Sequence, residues 1–445
     1  MKRALLLAYH WPPIGGPGAL RPVKLAQHLE ARGYEPVVIT GPGESFGRWS
    51  PLDDALAREV PPGTEVHRVA VPEPAHSNRR RRRLEQLLCR PSRWDQWWTQ
   101  SAVELGRKVA GDAEVIYAGL DPYQTAEPGC LLAAALGLPW VADLQDPWAL
   151  DEMLVYPTGV HRRLARARMR RLLSSADAVV MNTPEASKAL VQAFPEFAGK
   201  RVACIPNGYD EADFEGLEPR LEPSAFRIVH TGSMHTEFGR RHRERGALRR
   251  LLGGTETEVD FLTRSHVFLL QALERIVAEQ PALADRIELH LAGVLSDADR
   301  EVVDNTPIRS QLHGFLPHAD NVALMRSADL LFLPMHDLAA GRRARLVPCK
   351  SYEYLASGRP LLAALPEGDA RELVQRAEHQ WVCAPGDVDA MVRAIRDEIL
   401  PAAPWPSVMS SRRELMASYE HAQLSSQLAD VFDDVVGDRP TLTLA

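Results

Sequence analysis

The chain has 445 residues, 45% of them apolar and 25% charged, which leaves ample material for buried cores and excludes a disordered polymer of low hydrophobicity. At roughly 150 residues per domain, it holds two large domains or three ordinary ones. Asp plus Glu (59) outnumber Lys plus Arg (52), a formal charge of −7, so a globally basic nucleic-acid binder is excluded.

Cys89, Cys130, Cys204, Cys349 and Cys383 are scattered and include no C-x-x-C pair. Neither a disulfide framework nor a zinc site is expected, and a reducing, cytoplasmic compartment is. The apolar run after Met1-Lys2-Arg3 is too short for a signal segment and reads as a first buried strand. No run of about 18 apolar residues occurs, so no membrane-spanning helix is expected.

Ala4 to Tyr9 reads as a strand buried on both faces. His10 to Gly18 is a Gly- and Pro-rich loop, and Ala19, Val23, Ala26 and Leu29 follow at helical spacing. Gly33 is a helix stop, and Val37 to Thr40 is the second strand. A strand, a helix and a strand within about 40 residues make a right-handed parallel crossover. Strands are expected at Val115–Ala118, Leu138–Asp143, Ala178–Met181 and Val202–Pro206, with a helix at Pro128–Leu136. A second alternating series has strands at Phe226–His230, Ile287–Ala292, Leu330–Leu333 and Pro360–Ala363. Both halves read as doubly wound α/β sheets, joined near Pro219 to Pro223. After Pro401, Pro404 and Pro406, the residues Leu415, Tyr419, Leu424, Leu428 and Phe432 lie near one face of a last helix. The expected domains are therefore 1–220, 221–400 and a returning tail, 401–445.

Four stretches are densely basic: Arg79 to Arg83, residues 161–171, residues 240–250, and Arg342, Arg343 and Arg345. Solvated surface is the plain reading of each. The first is followed by Leu84, Leu87, Leu88, Trp94, Trp97 and Trp98, a basic and aromatic pattern that also suits an anionic membrane surface.

Gly15-Gly16-x-Gly18 stands at the carboxyl end of the first strand, where ligands sit in a doubly wound sheet. Glycines let backbone N–H groups approach a phosphate or sugar, and the helix start adds a field worth roughly 0.3–1 kcal/mol. The spacing is not G-x-G-x-x-G and no acid closes the second strand, which disfavours a nicotinamide dinucleotide. Further on, Lys350 and Glu353 share a face of a short helix, Lys350 to Ser357, that ends at Gly358. A carboxylate there can hold vicinal ribose hydroxyls, at about 1.5–3 kcal/mol per charged hydrogen bond, or simply pair with the lysine.

Tyr9-x-x-Pro12-Pro13-x-Gly15-Gly16, Ile205-Pro206-Asn207-Gly208-Tyr209-Asp210 with Phe214, Thr231-Gly232-Ser233, and Pro348-x-Lys350-x-Tyr352-Glu353-Tyr354-Leu355-Ala356-x-Gly358-x-Pro360 resemble the ordered landmarks of family 4 glycosyltransferases. Each motif alone is common; four in order, from Met1 to about Phe432, are specific. The resemblance implies a GT-B fold, two Rossmann-like domains facing across a cleft. It implies transfer of a sugar from a nucleotide-diphosphate donor, with retention and without a metal or other cofactor. The acceptor would be a glycan, a lipid-linked molecule or a small molecule, held by the first domain.

By the same resemblance, Glu353 matches the ribose-binding acid, Gly15 and Gly16 the loop near the donor phosphates, and Gly232 with Ser233 the turn facing the diphosphate. Asp143-x-x-Asp146-Pro147-Trp148 resembles a segment of a polysaccharide-assembly branch, with Gln145 where an Arg is usual. Arg345 stands where the family's first acid belongs, eight residues before Glu353. A basic insertion, Met234 to Thr263, displaces the diphosphate-binding Arg and Lys, and Arg264 is the choice for that role over Arg240 or Arg241. The expected donor set is Gly15, Gly16, Gly232, Ser233, Arg264, Arg345, Lys350, Tyr352 and Glu353. The expected catalytic set is Asp143, Asp146, Arg264 and Lys350, with cations steadying the leaving diphosphate and a carboxylate steadying the sugar. Asp297-Ala298-Asp299 reads as a loop rather than a metal-binding D-x-D. A sugar-nucleotide epimerase of the same fold, or a nucleotide-sugar binder without turnover, are the alternatives.

Overall fold

The computed structural model describes residues 1–44, 51–71, 91–217, 225–255 and 258–437. The run Arg79 to Arg83 with Leu84, Leu87 and Leu88, and the expected join at Pro219 to Pro223, lie outside them. Two compact units form: Met1–Asn207 together with the chain from His421, and Gly208–Glu420.

The first unit is a seven-stranded parallel sheet. Its strands are β1 (Lys2–Leu7), β2 (Tyr34–Thr40), β3 (Glu65–Arg68), β4 (Ala113–Gly119), β5 (Trp140–Leu144), β6 (Ala178–Met181) and β7 (Arg201–Cys204), in the order β3-β2-β1-β4-β5-β6-β7. The order reverses between β1 and β4, and ligands favour the carboxyl ends of the strands at such a reversal. Alternate residues of β1 enter different cores, which is why the strand reads as one unbroken apolar run. Leu5 and Leu7 join Trp98, Leu132, Met169 and Leu172 from helices on one face. Ala4 and Leu6 join Val23, Leu424, Leu428 and Phe432 on the other.

The helix Pro17–Leu29 starts with Pro17 in its first turn, where a missing N–H costs nothing, and Gly33 closes the segment at φ 85°. Trp94, Trp97 and Trp98 belong to the helix Arg93–Val109 and pack on the core, Trp98 with no exposure. Their aromatic pattern is thus a buried helix face, and that part of the membrane reading is corrected.

The expected single tail helix is two. Met409–Met416 lies in the second unit, Glu420 is extended at ψ 137°, and His421–Gly437 packs in the first. The break is fixed by the Tyr209 amide, which donates to Tyr419 O at 3.1 Å. Beyond it, Lys2 pairs with Asp433 at 2.7 Å, and Phe432 meets Tyr34 edge-on at 5.2 Å.

The second unit holds β8 (Phe226–Thr231), β9 (Val259–Asp260), β10 (Ile287–Ala292), β11 (Arg309–Gly314), β12 (Leu330–Pro334), β13 (Asp337–Leu338), β14 (Leu361–Ala364) and β15 (Gln380–Cys383). Six make a parallel sheet ordered β11-β10-β8-β12-β14-β15, and β9 and β13 form a small ribbon. The order reverses between β8 and β12. The basic insertion is the helix Thr236–Leu251 followed by the ribbon strand β9, and it ends in a turn, Phe261–Thr263, that delivers Arg264. Asp297-Ala298-Asp299 is not a loop: Ser296 and Asp299 form a capping box that opens the helix Asp297–Asp304.

Candidate active site

In the second unit, the carboxyl end of β8 runs straight into Gly232, at φ 111°. Tyr354 Oη accepts the Thr231 amide at 2.7 Å, which ties the strand end to the helix Lys350–Ala356. Lys350 then lies directly over Gly232: a Cβ on that glycine would collide with Nζ. Gly293, at φ 133° after β10, backs the same turn, and a Cβ there would stand 2.5 Å from Gly232 O. The Gly232 and Gly293 amides donate to Ala292 O and Gly314 O, so what the two glycines leave is room for the lysine, where any side chain would fill the space.

His230 lies beneath the lysine. Its Nδ1 is 2.9 Å from Phe332 O and its Nε2 is 3.2 Å from Lys350 Nζ. A carbonyl can only accept, so the proton sits on Nδ1 and Nε2 accepts from the ammonium. Burial, then the charge of Lys350, holds His230 well below the usual histidine range, so it is neutral. Burial and the neighbouring Arg264 push Lys350 down to about 7. Two cations held together in a desolvated spot are costly in the free protein; Glu353 offsets part of that cost, and a diphosphate would relieve more of it.

Glu353 is three residues further on the same helix. His318, at the start of the helix His318–Arg326, holds its Oε1 at 2.7 Å and lies 3.9 Å from Asp213. One carboxylate oxygen is thus oriented by a histidine.

The remaining expected donor residues separate. Tyr352 is 2% exposed and packs on Tyr419 with ring centroids 5.1 Å apart, so it is a packing residue rather than a donor contact. Arg345 is half-buried in the loop before the helix, and Ser233 is half-buried just after Gly232. Arg240 pairs with Glu301 at 2.6 Å and Arg241 with Glu237, both at the surface, which leaves Arg264 as the arginine at the cradle.

In the first unit, Gly15 and Gly16 form the loop after β1. The Gly15 amide donates to Pro51 O at 2.7 Å, and a Cβ on Gly15 would stand 2.6 Å from that of Asp53. Gly16, at φ 89°, caps the helix Pro17–Leu29. Asp143 does not face a ligand. It is fully buried and accepts from Arg21 Nε at 2.8 Å, Arg21 Nη2 at 3.0 Å and Tyr117 Oη at 2.5 Å. Arg21 also donates to Ile205 O and Pro206 O. The carboxylate therefore latches the glycine-loop helix to the ends of β4, β5 and β7, and its expected catalytic role is corrected to that of an anchor. Asp146, three residues on, is exposed.

One acid was not expected. Asp121 follows β4 at the strand-order reversal and lies against Gly18, where a Cβ would strike its carboxylate and stand 3.1 Å from the His10 ring. Burial pushes Asp121 up to about 6 and His10 down to about 4. Beside it, Tyr123 stacks on Trp148 with centroids 5.5 Å apart and planes 7° apart, and Trp148 adopts φ 48°. The charges of Asp146, Asp151 and Asp121 all raise the Tyr123 hydroxyl, so these acids share one rim. The available signal was position: Asp121 stands two residues past the end of β4, the strand beside β1.

Among the described residues, no group of three or more His, Cys, Asp or Glu could hold a metal ion, and no helix is long and apolar enough to cross a membrane. The family described as "Glycosyl transferase 4-like domain" matches residues 18–208, and "Glycosyl transferases group 1" matches residues 261–399. No match was found among curated proteins. Solved structures with a similar fold include sucrose-phosphate synthase from Thermosynechococcus elongatus (14% identity, TM-score 0.67, covering 99% of this chain and 100% of that one). HepE from Anabaena, solved with UDP and glucose, is similar at 16% identity and a TM-score of 0.57, covering 98% of this chain and 100% of that one. The α,α-trehalose 6-phosphate synthase from Burkholderia multivorans is similar at 15% identity and a TM-score of 0.60, covering 98% and 97%.

Proposed function

The chain belongs to the family 4 glycosyltransferases and has the GT-B fold, and from that premise we propose that it moves a sugar from a nucleotide-diphosphate donor to an acceptor hydroxyl, with retention at the anomeric carbon. One observation carries the reading of the donor end: Lys350 stands over Gly232 with Arg264 beside it, and Glu353 is one helical turn away. That is a cationic cradle next to a carboxylate, the complement of a diphosphate next to a ribose.

As the bond between the sugar and the diphosphate breaks, negative charge grows on the leaving oxygen and positive charge on the ring. Lys350 and Arg264 stabilise the first without help from a metal. Glu353, held by His318, takes the ribose hydroxyls. In the first unit, the neighbouring acids Asp121 and Asp146 suit the acceptor, where a carboxylate orients the attacking hydroxyl. UDP is a reasonable first nucleotide to try, because HepE was solved with UDP and glucose. The acceptor is a glycan, a lipid-linked molecule or a sugar phosphate, and the second of these would bring the enzyme to an anionic membrane surface in the cytoplasm.

The experiment is to incubate the purified chain with a panel of nucleotide sugars and candidate acceptors, and to read nucleotide diphosphate release together with the anomeric proton of the product. Transfer with retention is expected. Isomerisation of the donor without any acceptor would instead indicate an epimerase. Binding without either product would indicate a nucleotide-sugar binder.

A further inference from the structure

The helix Gly159–Leu173 carries Arg162, Arg163, Arg166, Arg168, Arg170 and Arg171 and no acidic residue. Its inner face is ordinary: Met169, Leu172 and Leu173 enter the core of the first unit. Its outer face is not. Val160, Leu164, Ala167 and Arg171 stand at i, i+4, i+7 and i+11, one stripe along a helix. Val160 is 61% exposed and Leu164 48% exposed, and Ala167 between them and the helix end is exposed too. Arg163 and Arg170 flank the stripe, and the side chains of Arg170 and Arg171 are 60% and 65% exposed.

The neighbouring surface neutralises this face only in part. Glu127 meets Arg168 at 3.0 Å and Arg171 at 3.4 Å, and Glu196 meets Arg170 at 2.5 Å. Two glutamates thus serve three of the six arginines. One turn beyond Glu127, on the adjoining helix Ala126–Leu136, Leu131 is 45% exposed beside the C-terminal end of the arginine helix.

We propose that this face seats the first unit on an anionic lipid bilayer. An exposed aliphatic stripe edged by guanidinium groups fits one surface well. The aliphatic groups enter the boundary between headgroups and acyl chains, and the arginines bind lipid phosphates above it. A nucleic acid would use the arginines but would leave Val160 and Leu164 against phosphate with nothing gained. The chain's net charge of −7 also works against long-range attraction to nucleic acid, while leaving a local basic face free to act within a Debye length. The inference deepens the lipid-linked branch of the acceptor reading. Its test reads vesicle binding alone, so it stands or falls apart from sugar transfer.

The test is flotation of the full chain with vesicles of equal parts phosphatidylcholine and phosphatidylglycerol, beside vesicles of phosphatidylcholine alone. Two paired variants alter only exposed side chains: Val160→Ser with Leu164→Ser, and Arg163→Gln with Arg170→Gln. The native chain should bind the anionic vesicles at least tenfold more strongly than the neutral ones. The arginine pair should lose about fivefold per residue, the equivalent of about 1 kcal/mol each. The aliphatic pair should lose about tenfold. Val160→Ala with Leu164→Ala keeps helix propensity high and replaces the serine pair if circular dichroism shows a loss of helix. A native chain that stays with the neutral and anionic vesicles equally, or with neither, overturns the proposal. So do paired variants that float like the native chain, and so does tighter binding to a DNA duplex that the same variants abolish.

Discussion

A diphosphate seated against Lys350, as proposed, makes donor binding a proton-linked event. Burial and Arg264 bring its ammonium down to about 7, so close to half of the free protein carries a neutral amine at neutral pH. A bound diphosphate supplies two or more negative charges where the positive one was penalised, and returns the lysine toward its ordinary value of about 10.4. Binding must then take up a proton, about 0.5 per site at pH 7 and about 0.9 at pH 8. The sign is fixed by which state holds the proton: the complex holds it and the free protein does not, so affinity falls as pH rises. The loss is about twofold at pH 7, about tenfold at pH 8 and about a hundredfold at pH 9, relative to pH 5 to 6, or about 1.4 kcal/mol per pH unit. A nucleotide sugar is the right ligand, because its diphosphate diester has no proton of its own to titrate in that range. Calorimetry in buffers of different ionisation enthalpy reads the proton directly. Lys350→Arg keeps the charge but cannot titrate, so its affinity should be flat with pH and its proton uptake zero. A native protein with no proton uptake and a flat affinity between about pH 6 and pH 9 would refute the placement of the diphosphate against Lys350.

Other outcomes follow from single contacts. Glu353→Ala should weaken nucleotide affinity by about 1.5–3 kcal/mol, roughly tenfold to a hundredfold, in a fluorescence titration. Gly232→Ala puts a methyl group into Lys350 Nζ at φ 111°, so it should weaken the donor while the thermal midpoint moves far less than the affinity. Asp143→Ala leaves Arg21 buried without its carboxylate and should cost about 3–5 kcal/mol in denaturant unfolding. Asp121 is raised to about 6, so between about pH 4 and pH 6 the fold keeps a proton that the unfolded chain has lost. Stability is therefore lost as pH rises through that window, by up to about 3 kcal/mol, and Asp121→Asn should regain it above pH 6 but not below pH 4.

The central strands were legible because burial on both faces writes a continuous apolar run. Ala178–Met181 and Ile287–Ala292 fall where the residues place them. The edge strands β3, β11 and β15 were not found. Glu-Val-His-Arg and Arg309 to Gly314 are polar and half exposed, so their strand character comes from a neighbour's hydrogen bonds rather than their own composition, and Gln-Trp-Val-Cys is too short an apolar run to stand out. The tail read as one helix because Leu415 and Tyr419 keep its spacing; what breaks it is the pairing of Tyr419 with Tyr209, a contact between residues far apart in sequence.

Motif spacing marked Gly232, Lys350 and Glu353, and the fold brings the first two into contact, with the third on the same helix as Lys350. Asp143 was misread because a strand-end acid looks the same whether it faces a ligand or an arginine. Only the inward turn of Arg21 shows which, and an arginine at 3% exposure in an amphipathic helix is not visible in a hydrophobic pattern. Asp121, His230 and His318 act through neighbours brought in by the fold, so no local pattern announces them.

The most direct measurement is a crystal structure of the chain with a nucleotide diphosphate or a non-hydrolysable nucleotide sugar. The diphosphate should lie within hydrogen-bond distance of Lys350 Nζ, with Arg264 beside it and the ribose hydroxyls on Glu353. A nucleotide bound with its phosphates elsewhere, or with its ribose away from Glu353, would contradict the assignment of this cradle as the donor site.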